Sequence, residues 1–138
     1  MARILIADDH EIVRKGIRTM LQVRPGWEIC GEAKDGREAI QLAKELNPDI
    51  IILDVSMPVL GGLGAADDIL RMNPKIKILI FTMDESKTLR TLVQRCGARG
   101  LVVKSQASEV LVQALDKLLA GSTFFSAIPE LQPSSELN

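Results

Sequence analysis

The chain has 138 residues, 46% of them hydrophobic and 25% charged, with a formal net charge of -1. This is the composition of one globular domain with an ordinary core, and the charge balance excludes a surface that holds a polyanion by itself. The apolar stretch Ile4-Leu5-Ile6-Ala7 is too short for a signal-peptide core or a membrane span, so a cytoplasmic location without membrane contact is expected. Cys30 and Cys96 have neither redox nor zinc spacing and read as small buried residues in a reducing compartment.

In chain order, the run Ile4–Ala7 predicts a buried strand that ends at Asp8 and Asp9. Val13, Ile17, Met20 and Leu21 then repeat on one helical face until Pro25-Gly26 stops the helix. Trp27 to Ala33 reads as a second strand. Asp35 can cap a helix carrying Ala39, Ile40, Ala43 and Leu46, which must end before Asn47-Pro48. A third strand, Ile50 to Leu53, ends at Asp54, and Ser56-Met57-Pro58-Val59-Leu60-Gly61-Gly62 is loop chemistry. A helix from about Gly64 to Met72 precedes a fourth strand, Lys77 to Thr82. The fourth helix places Leu89, Leu92, Val93 and Cys96 on one face; Gly97 and Gly100 lead into a fifth strand, Leu101 to Lys104. A fifth helix carries Val110, Leu111, Ala114, Leu115 and Leu118. From Gly121 periodicity is lost, and Pro129, Pro133, Ser134 and Ser135 suggest a linker or frayed tail. Five alternations of strand and helix predict an α/β domain: a doubly wound, five-stranded parallel sheet with helices on both faces.

The polar residues that end these runs, Asp8, Asp9, Asp54, Thr82 and Lys104, then fall along the C-terminal edge of the sheet, where open α/β folds place their ligands. Each has an ordinary explanation alone: a helix N-cap for Asp8 and Asp9, a solvated strand end for Asp54, a β-branched strand residue for Thr82, a surface charge with a buried stem for Lys104. Their coincidence at one edge needs a common cause. Clustered carboxylates raise one another's pKa, a conflict that a hard cation resolves; Mg2+ suits an oxygen donor set and keeps coordination open for a phosphoryl oxygen. Lys104 adds a point charge and Thr82 a hydroxyl for the equatorial oxygens of a transferring phosphoryl group. Asp54 is the natural nucleophile, since an ionised carboxylate forms an acyl phosphate without a general base.

Ile6-Ala7-Asp8-Asp9-His10, Leu53-Asp54-Val55-Ser56-Met57-Pro58, Phe81-Thr82-Met83 and Val103-Lys104 resemble, in order and spacing, the motifs of receiver domains of two-component response regulators over residues 2 to 120. The resemblance implies a flavodoxin-like fold with strand order 2-1-3-4-5. It also implies that Asp54 accepts phosphate from a sensor histidine kinase and that Mg2+ is held by Asp9 directly, by Asp8 through water, by Asp54 and by the Ser56 backbone carbonyl. Lys104 would pair with the phosphoryl group, and Thr82 would move towards it. Asp8-Asp9-His10, Thr82-Met83 and Gly121-Ser122-Thr123-Phe124-Phe125-Ser126 are similar to the branch whose receivers precede a LuxR-type DNA-binding domain. Residues 1–120 would then be the receiver and 121–138 a linker or tail. The effector domain through which such proteins reach DNA and control transcription lies outside this chain, and self-association is left open.

Three departures stand out. Leu101 occupies the position, three before the lysine, where the family commonly has Tyr or Phe, so the aromatic readout is missing. Leu60-Gly61-Gly62 replaces the usual methionine, acid or amide, and glycine, which predicts a looser loop, and Ser105 replaces the proline that causes a cis peptide after the lysine. His10 reads as a polar residue at the mouth of the site without a role. Ser56 and Asp84 sit where family members tune water access, or are ordinary loop polarity. Val112 and Leu119 are either a partner surface or lie beneath Phe124 and Phe125; Arg90, Arg95 and Arg99 read as a solvated face.

The leading expectation is a phosphorylation switch and not a turnover enzyme, with a phosphorylation-independent interaction module as the alternative. An aspartyl phosphatase is disfavoured because its two carboxylates stand two apart after the first strand, whereas Asp8 and Asp9 are adjacent. A flavin site is disfavoured because no hydroxyl-rich phosphate loop follows strand one and the chain has no tyrosine.

Overall fold

The computed structural model describes residues 1–126; the prolines and serines of the expected tail, Pro129 to Ser135, lie outside the described residues. The elements are β1 (Ala2–Ala7), α1 (Glu11–Leu21), β2 (Trp27–Ala33), α2 (Gly36–Leu46), β3 (Ile50–Asp54), α3 (Gly62–Met72), β4 (Lys77–Thr82), α4 (Lys87–Cys96), β5 (Gly100–Val103), a 3-10 turn (Lys104–Gln106), α5 (Ala107–Leu119) and β6 (Phe124–Phe125).

Alternation along the continuous apolar strands supplies two cores. Leu5, Ala7, Ile51, Leu53, Ile78, Ile80 and Leu101 pack under α2, α3 and α4 through Ala39, Ala43, Ala65, Ile69, Leu89 and Val93. Their neighbours Ile4, Ile6, Ile50, Ile52, Leu79, Phe81 and Val102 pack under α1 and α5 through Ile17, Leu21, Leu111, Leu115 and Leu118. Strands buried on both faces are what a parallel sheet covered by crossover helices requires. Local chemistry agrees with this at the helix starts. The Asp35 carboxylate accepts from the Glu38 amide at 2.8 Å, and Ser86 accepts from the Leu89 amide at 3.1 Å. The N-cap of α1 is His10, with no side-chain cap bond, so neither Asp8 nor Asp9 is the N-cap of that helix.

The sheet has six strands in the order β2-β1-β3-β4-β5-β6, one more than expected. The addition comes from the segment read as linker: Phe124 and Phe125 run parallel to Gly100 and Leu101, and the Ser126 amide donates to the Leu101 carbonyl at 2.7 Å. Gly100 permits this, because a Cβ there would approach the Phe124 carbonyl oxygen to 2.9 Å. Phe125 joins the core cluster beside Leu101, with the Arg90 guanidinium 5.8 Å from its ring centroid, so Arg90 is not simply solvated. Val112 and Leu119 are partly buried against the core under α1 and α5, as is Phe124.

Smaller differences have local causes. Lys104 is one residue beyond β5, in the 3-10 turn, and α3 begins at Gly62. Leu92 is 45% exposed because the inward face of α4 is narrow, held by Leu89 and Val93 with Cys96 partly buried beside them. Both cysteines are only half-buried; burial nevertheless pushes their thiols up, away from reactive thiolates. No peptide bond among the described residues is cis.

The β3–α3 loop is tied down, contrary to the looser loop expected from its glycines. The Gly62 amide donates to the Val55 carbonyl at 3.1 Å, and Leu60 packs over Gly36 so closely that a Cβ at 36 would strike the Leu60 carbonyl. Its turn is closed by the Leu60 amide donating to the Pro58 carbonyl at 2.8 Å, with Val59 between them at φ 70°. A β-branched residue at positive φ is strained, and this is the sense of the rare γ-turn. Val59 is 70% exposed, so its side chain returns little packing. Val59→Gly is therefore expected to stabilise the fold by about 1 kcal/mol, the relieved strain exceeding the added unfolded-state entropy, as read by urea unfolding.

Candidate functional site

Register brings the polar strand ends together. Ala7 pairs with Leu53, Asp54 with Phe81 and Thr82 with Val103, so Asp8, Asp54, Thr82 and Lys104 line one edge of the sheet. All are withdrawn from solvent: Asp8, Asp54 and Thr82 are 1%, 3% and 1% exposed. Asp54, Thr82 and Lys104 line a cleft of about 320 Å3, joined by His10, Ser56, Met83 and Asp84.

Asp8, Asp9, His10 and Asp54 each offer a donor atom within 4.8 Å of all the others. Lys104 Nζ donates to Asp8 Oδ2 at 2.8 Å and lies 3.6 Å from Asp54 Oδ1, spanning the two carboxylates like a strut. The Ser56 amide donates to Asp54 Oδ1 at 3.3 Å. Burial, and next the Asp8 charge, push the Asp54 carboxyl above the ordinary carboxylate range; Lys104 and the Ser56 amide only partly oppose them. Asp9 Oδ1 is buried yet receives no hydrogen bond. His10 Nδ1 lies 3.1 Å from it, out of hydrogen-bonding alignment, and 3.4 Å from Asp8 Oδ1.

These features pass the test for a hard divalent cation. An orphaned buried carboxylate oxygen, a carboxyl pushed up by a neighbouring acid and a mainly oxygen donor set all describe a place that a divalent ion completes. Thr82 accepts through Oγ1 from the Asp84 amide at 3.0 Å, which leaves its hydroxyl proton for another acceptor in the cleft. Gly62 keeps the start of α3 against the end of β3, since a Cβ there would collide with the Asp54 carbonyl.

The sequence-predicted residues Asp8, Asp9, Asp54, Thr82 and Lys104 therefore converge, and Ser56 and Asp84 stand at the exposed rim. His10 stands exposed at the mouth of the cleft, as expected, with Nδ1 against both aspartates. One contact was missed. Arg14, 6% exposed, donates through Nη1 to the Asp8 carbonyl at 2.6 Å. The signal for it was present: residues 14, 17 and 21 share one helical stripe, and an arginine on a buried stripe needs partners.

The comparisons agree with this geometry. Residues 4–116 match the family model described as "Response regulator receiver domain". The chain is 38% identical over 126 residues to the response regulator GacA of Pseudomonas aeruginosa, covering 91% of this chain and 59% of that protein. It is 33% identical over 127 residues to the response regulator UvrY of Escherichia coli K12, covering 92% and 58%. The chain thus spans about three-fifths of the length of these curated relatives. Among solved structures, a LuxR-family two-component response regulator from Aurantimonas sp. SI85-9A1 superposes with TM-score 0.87 at 39% identity, covering 94% of this chain and 91% of that one. The isolated receiver domain of RcsB from Salmonella enterica serovar Typhimurium, with a phosphomimetic BeF3-, gives 0.84 at 31% identity, covering 94% of each chain. A flavodoxin-like sheet, an acidic cleft at its C-terminal edge and these matches together establish that the chain belongs to the response regulator receiver domain family, in the LuxR branch.

Proposed function

We propose that the chain is a phosphorylation switch in which Asp54 accepts a phosphoryl group from a sensor histidine kinase. The observation that carries this is the buried Asp54 carboxylate at the end of β3, with Lys104 Nζ at 3.6 Å and the Thr82 hydroxyl in the same cleft. A carboxylate oxygen of Asp54 attacks phosphorus, the P–N bond of phosphohistidine breaks, and the imidazole keeps the electron pair and takes up a proton. Asp9, Asp54 and the Ser56 carbonyl would hold Mg2+, with Asp8 acting through water. When bound, Mg2+ neutralises the carboxylates, favours ionised Asp54 and offers an open position to a phosphoryl oxygen. Lys104 and Thr82 stabilise the other equatorial oxygens.

The output is a change in binding, not turnover. Thr82, drawn towards the phosphoryl group, leaves space beside Leu101, and the aromatic that position 101 lacks is present one strand over as Phe125. The phosphorylated state would thus be read by the α4–β5–β6 surface, through self-association or a LuxR-type DNA-binding domain joined after the receiver, in the cytoplasm. No helix among the described residues is long and apolar enough to cross a membrane.

Incubation with Mg2+ and acetyl phosphate is expected to add one phosphoryl group by intact mass, mapped to Asp54 by borohydride trapping and peptide analysis. The BeF3- adduct is expected to change the solution assembly or the amide exchange of residues 122–126. No phosphoryl addition overturns the reading; addition with neither change leaves the phosphorylation-independent interaction module.

A further inference from the structure

We infer that Arg14 is a positioning residue for the cation site: it sets the peptide that carries Asp9, although it touches neither cation nor phosphoryl group. The inference rests on the proposed use of Asp8 and Asp9 as the cation-holding carboxylates.

Arg14 lies in the second turn of α1, and all three of its guanidinium nitrogens are committed. Nη1 donates to the Asp8 carbonyl at 2.6 Å, Nε to Glu32 Oε1 at 2.9 Å and Nη2 to Glu11 Oε1 at 2.6 Å. Arg18 Nη1 fixes the other Glu32 oxygen at 2.6 Å. The guanidinium therefore joins the turn after β1, the start of α1 and the end of β2. A planar fork with donors in several directions can do this; a point charge cannot.

The Asp8–Asp9 peptide is the object held. On its upstream side the Asp8 amide donates to the Ala33 carbonyl at 3.0 Å, and Asp8 Oδ1 accepts from the His10 amide at 2.9 Å. The Asp8 carbonyl, bonded to Arg14, is half of the peptide plane leading to Asp9. Rotating that plane swings the Asp9 side chain out of the cluster. Asp9 Oδ1, buried and without a hydrogen bond, has only the exposed His10 ring beside it, with Nδ1 at 3.1 Å and out of alignment. Orientation of that ligand is delegated to Arg14, much as groups behind a metal's direct ligands fix ligand direction and set affinity. Glu32 and Glu11 already balance the guanidinium charge, so its directed hydrogen bonds remain as its contribution.

The experiment measures Mg2+ affinity by isothermal titration calorimetry on the full chain, beside the melting temperature in chelator. It compares wild type with Arg14→Gln, Arg14→Lys and Ile17→Val, the last a cavity in the same helix. Arg14→Gln is expected to weaken Mg2+ binding about tenfold. Arg14→Lys, which keeps the charge and loses the fork, is expected to weaken it about as much. Ile17→Val is expected to lower the melting temperature with affinity within about twofold of wild type. Wild-type affinity in Arg14→Lys overturns the positioning role, as does weakening in Ile17→Val in proportion to its lost stability. If Arg14→Gln fails to fold, Arg14→Lys decides alone. Failure of wild type itself to bind Mg2+ is a distinct result, and overturns the acceptor reading together with this inference.

Discussion

Asp54→Asn is expected to abolish phosphoryl acceptance and, in chelator at neutral pH, to raise the melting temperature. The first effect follows because an amide oxygen is not an ionised nucleophile, and Asp8, the other buried carboxylate beside Lys104, is bonded to that lysine at 2.8 Å and does not line the cleft. The second follows because Asp54 is buried within reach of the Asp8 charge. An asparagine keeps an oxygen for the Ser56 amide and offers Asp8 a donor in place of a like charge, while Lys104 retains its 2.8 Å bond to Asp8. About 1 kcal/mol is expected, roughly 3–5 °C for a domain of this size. The pH dependence has a fixed sign. The Asp54 carboxyl holds its proton to higher pH in the folded state than in the unfolded one, so the metal-free wild type loses stability as pH rises from the ordinary carboxylate value through the raised one. The substituted amide cannot titrate, so the two stability curves should converge at acid pH and separate towards neutrality. Mg2+ should reverse the order, because an ion that binds the folded wild type stabilises it by mass action and the variant has lost a ligand. Melts across pH, with chelator and with Mg2+, check this; a variant that melts below wild type in neutral chelator defeats the argument.

The sheet and the acidic cleft were legible because their signals are redundant. Ile50-Ile51-Ile52-Leu53 followed by Asp54 is a buried strand and a polar terminus at once, and the same arrangement recurs at Asp8, Thr82 and Lys104. Once the strands are parallel, register alone brings these ends together. Three things were not legible. Phe124-Phe125 is too short to show periodicity, and its pairing depends on Gly100, whose missing Cβ admits the strand. The strain at Val59 is a backbone angle, which nothing in a valine announces. His10 and Arg14 lacked a visible partner because their partners are a carboxylate pair across a tight turn and a main-chain carbonyl, and sequence patterns report neither. Leu101 remains a departure from the family pattern, and the structure adds what the sequence did not show: Phe125 is paired with it on the neighbouring strand.

Lys104→Gln should have the opposite effect on stability from Asp54→Asn. Lys104 Nζ stands 2.8 Å from Asp8 and 3.6 Å from Asp54, and both carboxylates are nearly excluded from water, with side chains 2% and 4% exposed. Removing the cation leaves two like charges buried without compensation, whereas removing one carboxylate relieves them. Breaking one side of a buried pair costs about 3 kcal/mol, roughly 10 °C in chelator. A divalent ion can replace much of the lost charge at the carboxylates, so saturating Mg2+ should restore most of that stability. It should not restore the rate. The ammonium is also the group proposed to meet a phosphoryl oxygen, and losing such a preorganised donor typically costs about 10²–10³-fold. Phosphorylation by acetyl phosphate, followed by intact mass at saturating Mg2+, should therefore slow by about that factor in a protein whose melting temperature is close to wild type. Unchanged rates would assign Lys104 only the role of holding Asp8 and Asp54 together. A rate that recovers in step with the melting temperature as Mg2+ is added would mean the same, because an ion that restores the charge balance of Asp8 and Asp54 does not supply the ammonium's hydrogen bond to the transferring phosphoryl group.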